Sequence, residues 1–123
     1  MKHCYRNIIS FVWSSDFNRS LRFYTEILGF QRGFYTEDWI ELAIPGLHTG
    51  YLALNRWALD KALPTNNFVT LGVDDIESFK MHLVANNVQM KGDITEFYEE
   101  GIKMLKFFDP DGNTLTAAEV EEI

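Results

Sequence analysis

The chain has 123 residues, of which 46% are hydrophobic and 24% are charged. This is the length and composition of a single folded domain rather than of a disordered segment. The 11 Lys and Arg residues against 18 Asp and Glu give a formal net charge of −7, which argues against nucleic acid or an anionic membrane as the main partner. The negative charge keeps the protein soluble and favours a cationic small ligand.

The cysteine and apolar content narrows the class of protein further. Cys4 is the single cysteine, which excludes an internal disulfide and a cysteine-rich zinc site. The N-terminal residues do not resemble a signal peptide, and no apolar run approaches the roughly 20 residues of a membrane span. We therefore expect a cytoplasmic location and no membrane partner. Aromatic residues make up 15% of the chain, which indicates an aromatic-lined cavity or a core rich in Phe.

The chain begins with a predicted strand followed by a helix. The strand is the apolar run from Ile8 to Trp13, after which Ser15 or Asp16 can cap a helix. Gly29 is typical of the position just beyond a helix C-terminus. The helix itself is predicted from apolar residues at spacings of four, three and four: Phe17, Leu21, Tyr24 and Leu28.

Three strands are predicted between this helix and Asn55. The last two, Trp39 to Ile44 and Thr49 to Leu54, alternate in polarity and are joined by a turn at Pro45-Gly46. Residues 56–63 form a connector for which we expect one or two helical turns.

The second half repeats this order of elements. Phe68 to Val73 is predicted as a strand, and Asp74 can cap a helix with Glu77 at its third position. The helix ends near Asn86-Asn87, and its apolar stripe consists of Ile76, Phe79 and Leu83.

Three more strands complete the chain, at 92–97, 102–108 and 114–119. The segment Asp109-Pro110-Asp111-Gly112-Asn113 is a strong hairpin turn between the last two. Both halves therefore read β-α-β-β-β, an internal duplication of structure in which the residues themselves hardly repeat.

The pattern resembles the vicinal-oxygen-chelate superfamily, which includes glyoxalases, bleomycin-resistance proteins, extradiol dioxygenases and fosfomycin-resistance enzymes. The residues that carry the resemblance are Ser20-Leu21-Arg22-Phe23-Tyr24, Leu28-Gly29-Phe30, Val73-Asp74-Asp75-Ile76 and the run from Phe108 to Asn113.

The resemblance implies an α+β fold in which two β-α-β-β-β modules form a curved sheet or half-barrel around a cavity, with the helices on the outer face. The modules would span about residues 5–57 and 66–123 of one glyoxalase/bleomycin-resistance-like domain, residues 1–123. It also implies a homodimer.

Metal-dependent members of this superfamily place one ligand on the first and one on the fourth strand of each module. The equivalent positions in this sequence are Ile9, Ala53, Phe68 and Thr116. None of them is the imidazole or carboxylate that such ions need. The three histidines, His3, His48 and His82, match no expected position. We therefore expect no metal and no other cofactor.

Strand alternation gives the residues that face away from the helices. Glu41 is the ionisable group in this set, and it could pair with a ligand cation or act as a general base. The alternation leaves open whether Lys103 or Lys106 belongs to the set. Ile9 lies on this predicted face. The predicted ligand-binding residues on it are Phe11, Trp13, Trp39, Glu41, Tyr51, Asn55, Phe68, Thr70, Thr114 and Thr116.

Three functions remain open from the sequence. The first is a metal-free protein that binds and sequesters a small aromatic or cationic compound between aromatic rings. The second is a glyoxalase-like, metal-dependent lyase, isomerase or dioxygenase with shifted ligands, with an activity similar to lactoylglutathione lyase or a dioxygenase. The third is a non-catalytic interaction domain, because an aromatic sheet face is also consistent with a filled core or a dimer interface. Ser10 and Ser14 have no His and Asp partners that would indicate a hydrolase.

Overall fold

The structure is a computed structural model that describes Cys4, Asn7 and residues 8–47, 50–65 and 67–120. His3 at the N-terminus, His48, which is expected in a hairpin turn, and the predicted strand start at Thr49 lie outside the described residues. The chain forms two compact units, Met1–Pro64 and Thr65–Ile123, which we call the first and second modules.

The first module is one four-stranded sheet with a helical layer. Its strands have the order β1-β4-β3-β2, in which β1 is parallel to β4 and the other pairs are antiparallel. The elements are β1 (Ile8–Ser14), α1 (Phe17–Leu21) continuing into a π-helical segment (Arg22–Ile27), β2 (Gln31–Tyr35), β3 (Trp39–Ala43) and β4 (Gly50–Arg56).

The second module has the same topology. Its strand order is β5-β8-β7-β6, with β5 parallel to β8. The elements are β5 (Val69–Gly72), α2 (Ile76–Ala85), β6 (Thr95–Phe97), β7 (Ile102–Phe108) and β8 (Thr114–Val120). The predicted α+β fold of two β-α-β-β-β modules is thus confirmed.

Side-chain caps mark the starts of the two helices, and a glycine follows the end of the first. Asp16 caps α1, because its Oδ1 accepts from the N–H of Arg19 at 3.1 Å. Gly29 follows the π-helical segment with a φ of +80°, a conformation that glycine adopts without strain. The prediction of Asp74 as the second cap is wrong, because Asp75 holds that position and accepts from the N–H of Ser78 at 3.0 Å.

Two other predicted elements differ from the structure. The connector after β4 contains no helical turn within described residues 57–65, and its Trp57 is held instead by a hydrogen bond from its indole Nε1 to the carbonyl of Lys61 at 3.0 Å. The strand predicted at 92–97 is shortened to β6, with Asp93 Oδ1 accepting from its neighbouring N–H at Ile94.

The core of each module lies between one sheet face and its helix. In the second module Phe79 of α2 meets Phe107 of β7 edge-on, with ring centroids 5.8 Å apart. In the first module the hydroxyls of Ser14 and Ser20 join β1 to α1 through a buried hydrogen bond of 2.6 Å. The fully buried apolar residues include Val12, Tyr24, Leu42, Leu52 and Leu54 in the first module and Ile76, Leu83, Leu105, Phe107 and Leu115 in the second.

Among the described residues, no helix is both long and apolar enough to span a membrane.

Candidate functional site

The strand register of the first module collects the predicted site residues on one sheet face. Residues paired across neighbouring strands point to the same side of a sheet. The face opposite the helix, which we call the open face, therefore carries three rows: Trp13–Asn55–Trp39, Phe11–Ala53–Glu41 and Ile9–Tyr51–Ala43.

Four aromatic rings form a contiguous cluster on this face. Phe11 lies edge-on to Trp13 with centroids 5.4 Å apart, and tilted against Trp39 at 6.0 Å. Trp57, from the connector after β4, extends the cluster through an edge contact with Trp13 at 5.2 Å. Phe11 remains 42% exposed, so the cluster presents ring surface to solvent. Such rings can stack on a flat ligand or hold a cation, at about 0.5–2 kcal/mol for each good contact.

Glu41 fixes the orientation of one of these rings. The indole Nε1 of Trp39 donates to Glu41 Oε2 at 3.0 Å in a partly buried position. Within the described residues the other carboxylate oxygen, Oε1, has no hydrogen-bond partner. The carboxylate therefore places a negative charge beside the aromatic cluster, where it can attract a cationic ligand.

The open face of the second module is built by the same register from different residues. Thr70 and Thr116 are paired and lie in one row with Lys106. Thr114 lies opposite Phe108 in the neighbouring row. Phe68 precedes β5 and is 98% exposed. Apart from Phe68, the predicted residues of this module are thus threonines, whose hydroxyls lie on the open face.

The register also resolves the orientation of the two lysines on β7. Lys106 lies on the open face, since it is paired with Thr116. Lys103 lies on the opposite face, where its Nζ donates to Glu77 Oε1 of α2 at 3.1 Å. That hydrogen bond, reinforced by the charge of Glu77, raises the pKa of Lys103 above its ordinary value of 10.5.

The four positions that the resemblance predicts as equivalents of the metal ligands do not offer a suitable donor set. Ile9 and Phe68 have no donor atom in their side chains, Ala53 has none and is fully buried, and Thr116 has one neutral hydroxyl. Divalent ions of this class need imidazole or carboxylate ligands. The residues present therefore do not fit the metal.

One group of three carboxylates in the described part of the chain is close enough to share an ion: Asp75, Glu77 and Glu119. It lies at the N-terminus of α2 and has structural roles. Glu119 Oε1 accepts from the N–H of Ile76 at 2.9 Å, and Glu77 is paired with Lys103. Carboxylates at this position complement the helix dipole, which accounts for the cluster without an ion.

Two other residues considered from the sequence, Ser14 and His82, lie away from the open face. Ser14 is buried and bonded to Ser20, and His82 is exposed on α2. Sequence reasoning missed Trp57, because the connector shows no periodicity that assigns a face to it. It also left Lys106 undecided, although the hairpin turn at residues 109–113 already predicts that Phe108 lies opposite Thr114 and hence Lys106 opposite Thr116.

A family model described as "Glyoxalase/Bleomycin resistance protein/Dioxygenase superfamily" matches residues 3–116. The chain belongs to this superfamily. A search among curated proteins finds no match to the sequence.

Solved structures agree with the fold over nearly the whole chain. A superfamily member from Sphaerobacter thermophilus DSM 20745 is similar with a TM-score of 0.80 and 25% identity, covering 95% of this chain and 98% of that one. An integron cassette protein from the mobile metagenome of a Halifax Harbour sewage outfall has a TM-score of 0.78 and 25% identity, covering 93% and 97%. TnmS3, an antibiotic binding protein from Streptomyces sp. CB03234, has a TM-score of 0.79 and 22% identity, covering 98% and 100%.

Proposed function

We propose that this protein binds a small aromatic or cationic molecule without a metal ion, in the manner of a sequestration or resistance protein. The observation that carries the proposal is the cluster of Phe11, Trp13, Trp39 and Trp57 with the Glu41 carboxylate bonded into it. Aromatic walls with a few placed polar groups are the usual composition of a small-molecule site.

The mechanism is stoichiometric binding. Rings of the ligand would stack against the indoles of Trp13 and Trp39, while Glu41 would balance a positive charge on the ligand. Tyr51 and Asn55, which share the face, would supply hydrogen-bonding groups at its border. The lack of suitable donors at Ile9, Ala53, Phe68 and Thr116 supports a metal-free protein.

The structural relatives are compatible with this proposal. TnmS3, which has a similar fold, is described as an antibiotic binding protein, which supports a binding role. We further propose a homodimer, as the resemblance to this superfamily implies, and a cytoplasmic location.

A matched pair of dyes tests the site directly. At neutral pH 9-aminoacridine is a flat cation, whereas acridine is a neutral molecule of almost the same shape. We expect Trp39→Ala and Trp13→Ala to weaken binding of 9-aminoacridine more than tenfold, because each removes a stacking wall and its buried area. Glu41→Gln should weaken 9-aminoacridine about fivefold and leave acridine unchanged, since a partly exposed ion pair contributes about 1 kcal/mol.

The control is Tyr98→Ala, which removes an aromatic side chain that is 82% exposed in the second module. Dye fluorescence gives the affinity, and circular dichroism shows that each variant is folded. Unchanged affinity in both tryptophan variants would remove this face as the binding site.

Native mass spectrometry of the purified protein tests the metal and the oligomer. We expect the mass of a dimer with no metal, and retention of an organic adduct would identify the ligand. About one Ni, Zn, Mn or Fe ion per subunit, with an activity lost to a chelator, would instead support a lyase, isomerase or dioxygenase.

A further inference from the structure

A row of polar residues crosses the open face of the second module. Met90 is bridged antiparallel to Phe107, and the N–H of Lys91 donates to the carbonyl of Lys106 at 2.9 Å. One step along an antiparallel pair, Lys91 therefore lies opposite Lys106. With the pairing of Lys106 to Thr116 and of Thr116 to Thr70, two ammonium groups and two hydroxyls form one line of hydrogen-bond donors.

Both lysines border the same groove. It has a volume of about 380 Å³. Phe97 and Met104 give it an apolar wall, and Thr95, opposite Met104 in the register, adds a hydroxyl. The complete lining is Lys91, Asp93, Thr95, Phe97, Met104 and Lys106.

The acidic residue of this groove has charged and polar partners, whereas its two lysines have no ion-pair partner among the described residues. Asp93 Oδ1 accepts from Lys80 Nζ and from the N–H of Ile94, so its charge is already engaged. Lys103, on the other face of β7, is paired with Glu77. Across the part of the chain that the structure describes, neither Lys91 nor Lys106 has an ion-pair partner.

Two like charges placed opposite each other on neighbouring strands destabilise a sheet. In a protein with a net charge of −7, carboxylates are plentiful, yet among the described residues none is paired with these two lysines. An anion held between the ammonium groups would relieve their repulsion and form charge-assisted hydrogen bonds.

We propose that the open face of the second module binds an organic anion. Its carboxylate or phosphoryl group would lie between Lys91 and Lys106, with the Thr116 hydroxyl as a further donor. Its apolar part would lie against Phe97 and Met104. The inference goes beyond the aromatic site of the first module and does not depend on it.

Benzoate and phenyl phosphate are the probes, and benzyl alcohol and inorganic phosphate are their neutral and purely ionic counterparts. Isothermal titration calorimetry at low salt should show binding of at least one organic anion, with affinity falling as salt is added. The organic anion that binds more tightly shows whether the site prefers a carboxylate or a phosphoryl group. Benzyl alcohol should bind more weakly than the organic anions and without dependence on salt, and inorganic phosphate should bind more weakly than phenyl phosphate.

Lys91→Gln and Lys106→Gln should each weaken the organic anion at least fivefold, and the double variant should abolish binding. Lys103→Gln is the matched control, because it removes the same charge from the same strand on the opposite face. The variants change exposed or partly exposed side chains, and thermal melting monitors their folding.

The inference is overturned if neither anion binds the folded protein, or if Lys103→Gln weakens binding as much as Lys106→Gln. It is also overturned if inorganic phosphate binds as tightly as phenyl phosphate, since the apolar wall would then have no role. Trp39→Ala and Glu41→Gln should leave benzoate and phenyl phosphate binding unchanged. Failure of the anion site and failure of the aromatic site are thereby distinguishable.

Discussion

The two modules share a topology and a register but carry opposite chemistry on their open faces. Glu41 of β3 is paired with Ala53 of β4, and Lys106 of β7 is paired with Thr116 of β8. These two positions are therefore equivalent, and one holds a carboxylate where the other holds an ammonium. The neighbouring row is Trp13–Asn55–Trp39 in the first module and Gly72–Ala118–Met104 in the second.

The comparison shows which side of each sheet encodes the fold. On the helix side, Leu52 of the first module and Leu115 of the second occupy equivalent positions, and both are almost completely buried. Burial of such side chains drives folding, so their type is restricted. The open faces contribute less buried area and are free to differ, which allows one scaffold to present an aromatic, acidic surface and a hydroxyl-rich, basic one.

The largest expected effect separates the two sides of the sheets. Leu52→Ala and Leu115→Ala should each lower the free energy of unfolding by about 2–5 kcal/mol, because each leaves a cavity in a closed core. Thr116→Ala on the open face should cost less than about 1 kcal/mol. Urea denaturation measures all three. A loss at Thr116 as large as that at Leu115 would show that the open face belongs to the core.

The second largest difference in stability is expected between the turns that join the last two strands of each module. Asp109 is buried, and its carboxylate accepts from the N–H groups of Asp111 and Asn113 and from Asn113 Nδ2 at 2.8–2.9 Å. Asp109→Ala should therefore cost about 1–3 kcal/mol, because buried donors lose their acceptor.

The corresponding turn of the first module depends on Gly46, which has a φ of +85° and enough open space around it to admit a Cβ atom. Gly46→Ala should cost about 1 kcal/mol, through backbone strain alone. Thermal melting compares the two variants, and a larger loss at Gly46 would contradict the ranking.

A smaller loss of stability should distinguish Asp75, the observed cap of α2, from Asp74, the cap that the sequence predicts. Asp75→Ala should lower stability by about 1 kcal/mol, because the N–H of Ser78 loses its acceptor. Asp74→Ala should change stability by less than about 0.5 kcal/mol. Asp16→Ala, at the cap of α1, is the equivalent change in the first module and should resemble Asp75→Ala. Equal losses at Asp74 and Asp75 would contradict the observed cap.

The smallest effect depends on pH and is confined to the second module. The hydrogen bond from Lys80, followed by that from the N–H of Ile94, lowers the pKa of Asp93 below its ordinary value of 3.8. The folded state therefore binds this proton more weakly than the unfolded state. The resulting stabilisation is present above about pH 4 and is lost as the pH falls through the lowered pKa.

Melting temperatures of the wild type and Asp93→Asn should thus differ by a small constant amount above about pH 5 and converge in more acidic solution. Lys80→Gln should remove most of the same pH dependence. A difference that grows on acidification would show that the sign is wrong.

Much of the candidate site was predictable because alternation within short strands is a local property. Trp39, Glu41, Tyr51 and Asn55 were assigned to one face from the polarity of β3 and β4, and the register places them there. Trp57 could not be assigned, since its position depends on how the connector folds back against Trp13. Lys91 follows a bridge of a single residue pair, a contact that has no local sequence signature.

The amino-acid pattern alone predicts the α+β architecture, the duplicated order of elements, the strong turn after β7 and the lack of metal donors at four positions. These features depend on periodicity, turn chemistry and residue type, all of which are local. The folded chain was needed to show that Asp75 rather than Asp74 caps α2 and that Lys91 lies opposite Lys106. The residue next to this cap, Ile76, donates its N–H to Glu119 of β8, and Lys91 is placed by a bridge between segments that are distant along the chain. Local patterns do not define such long-range contacts, and a shift of one residue in a strand pairing would turn every side chain to the other face.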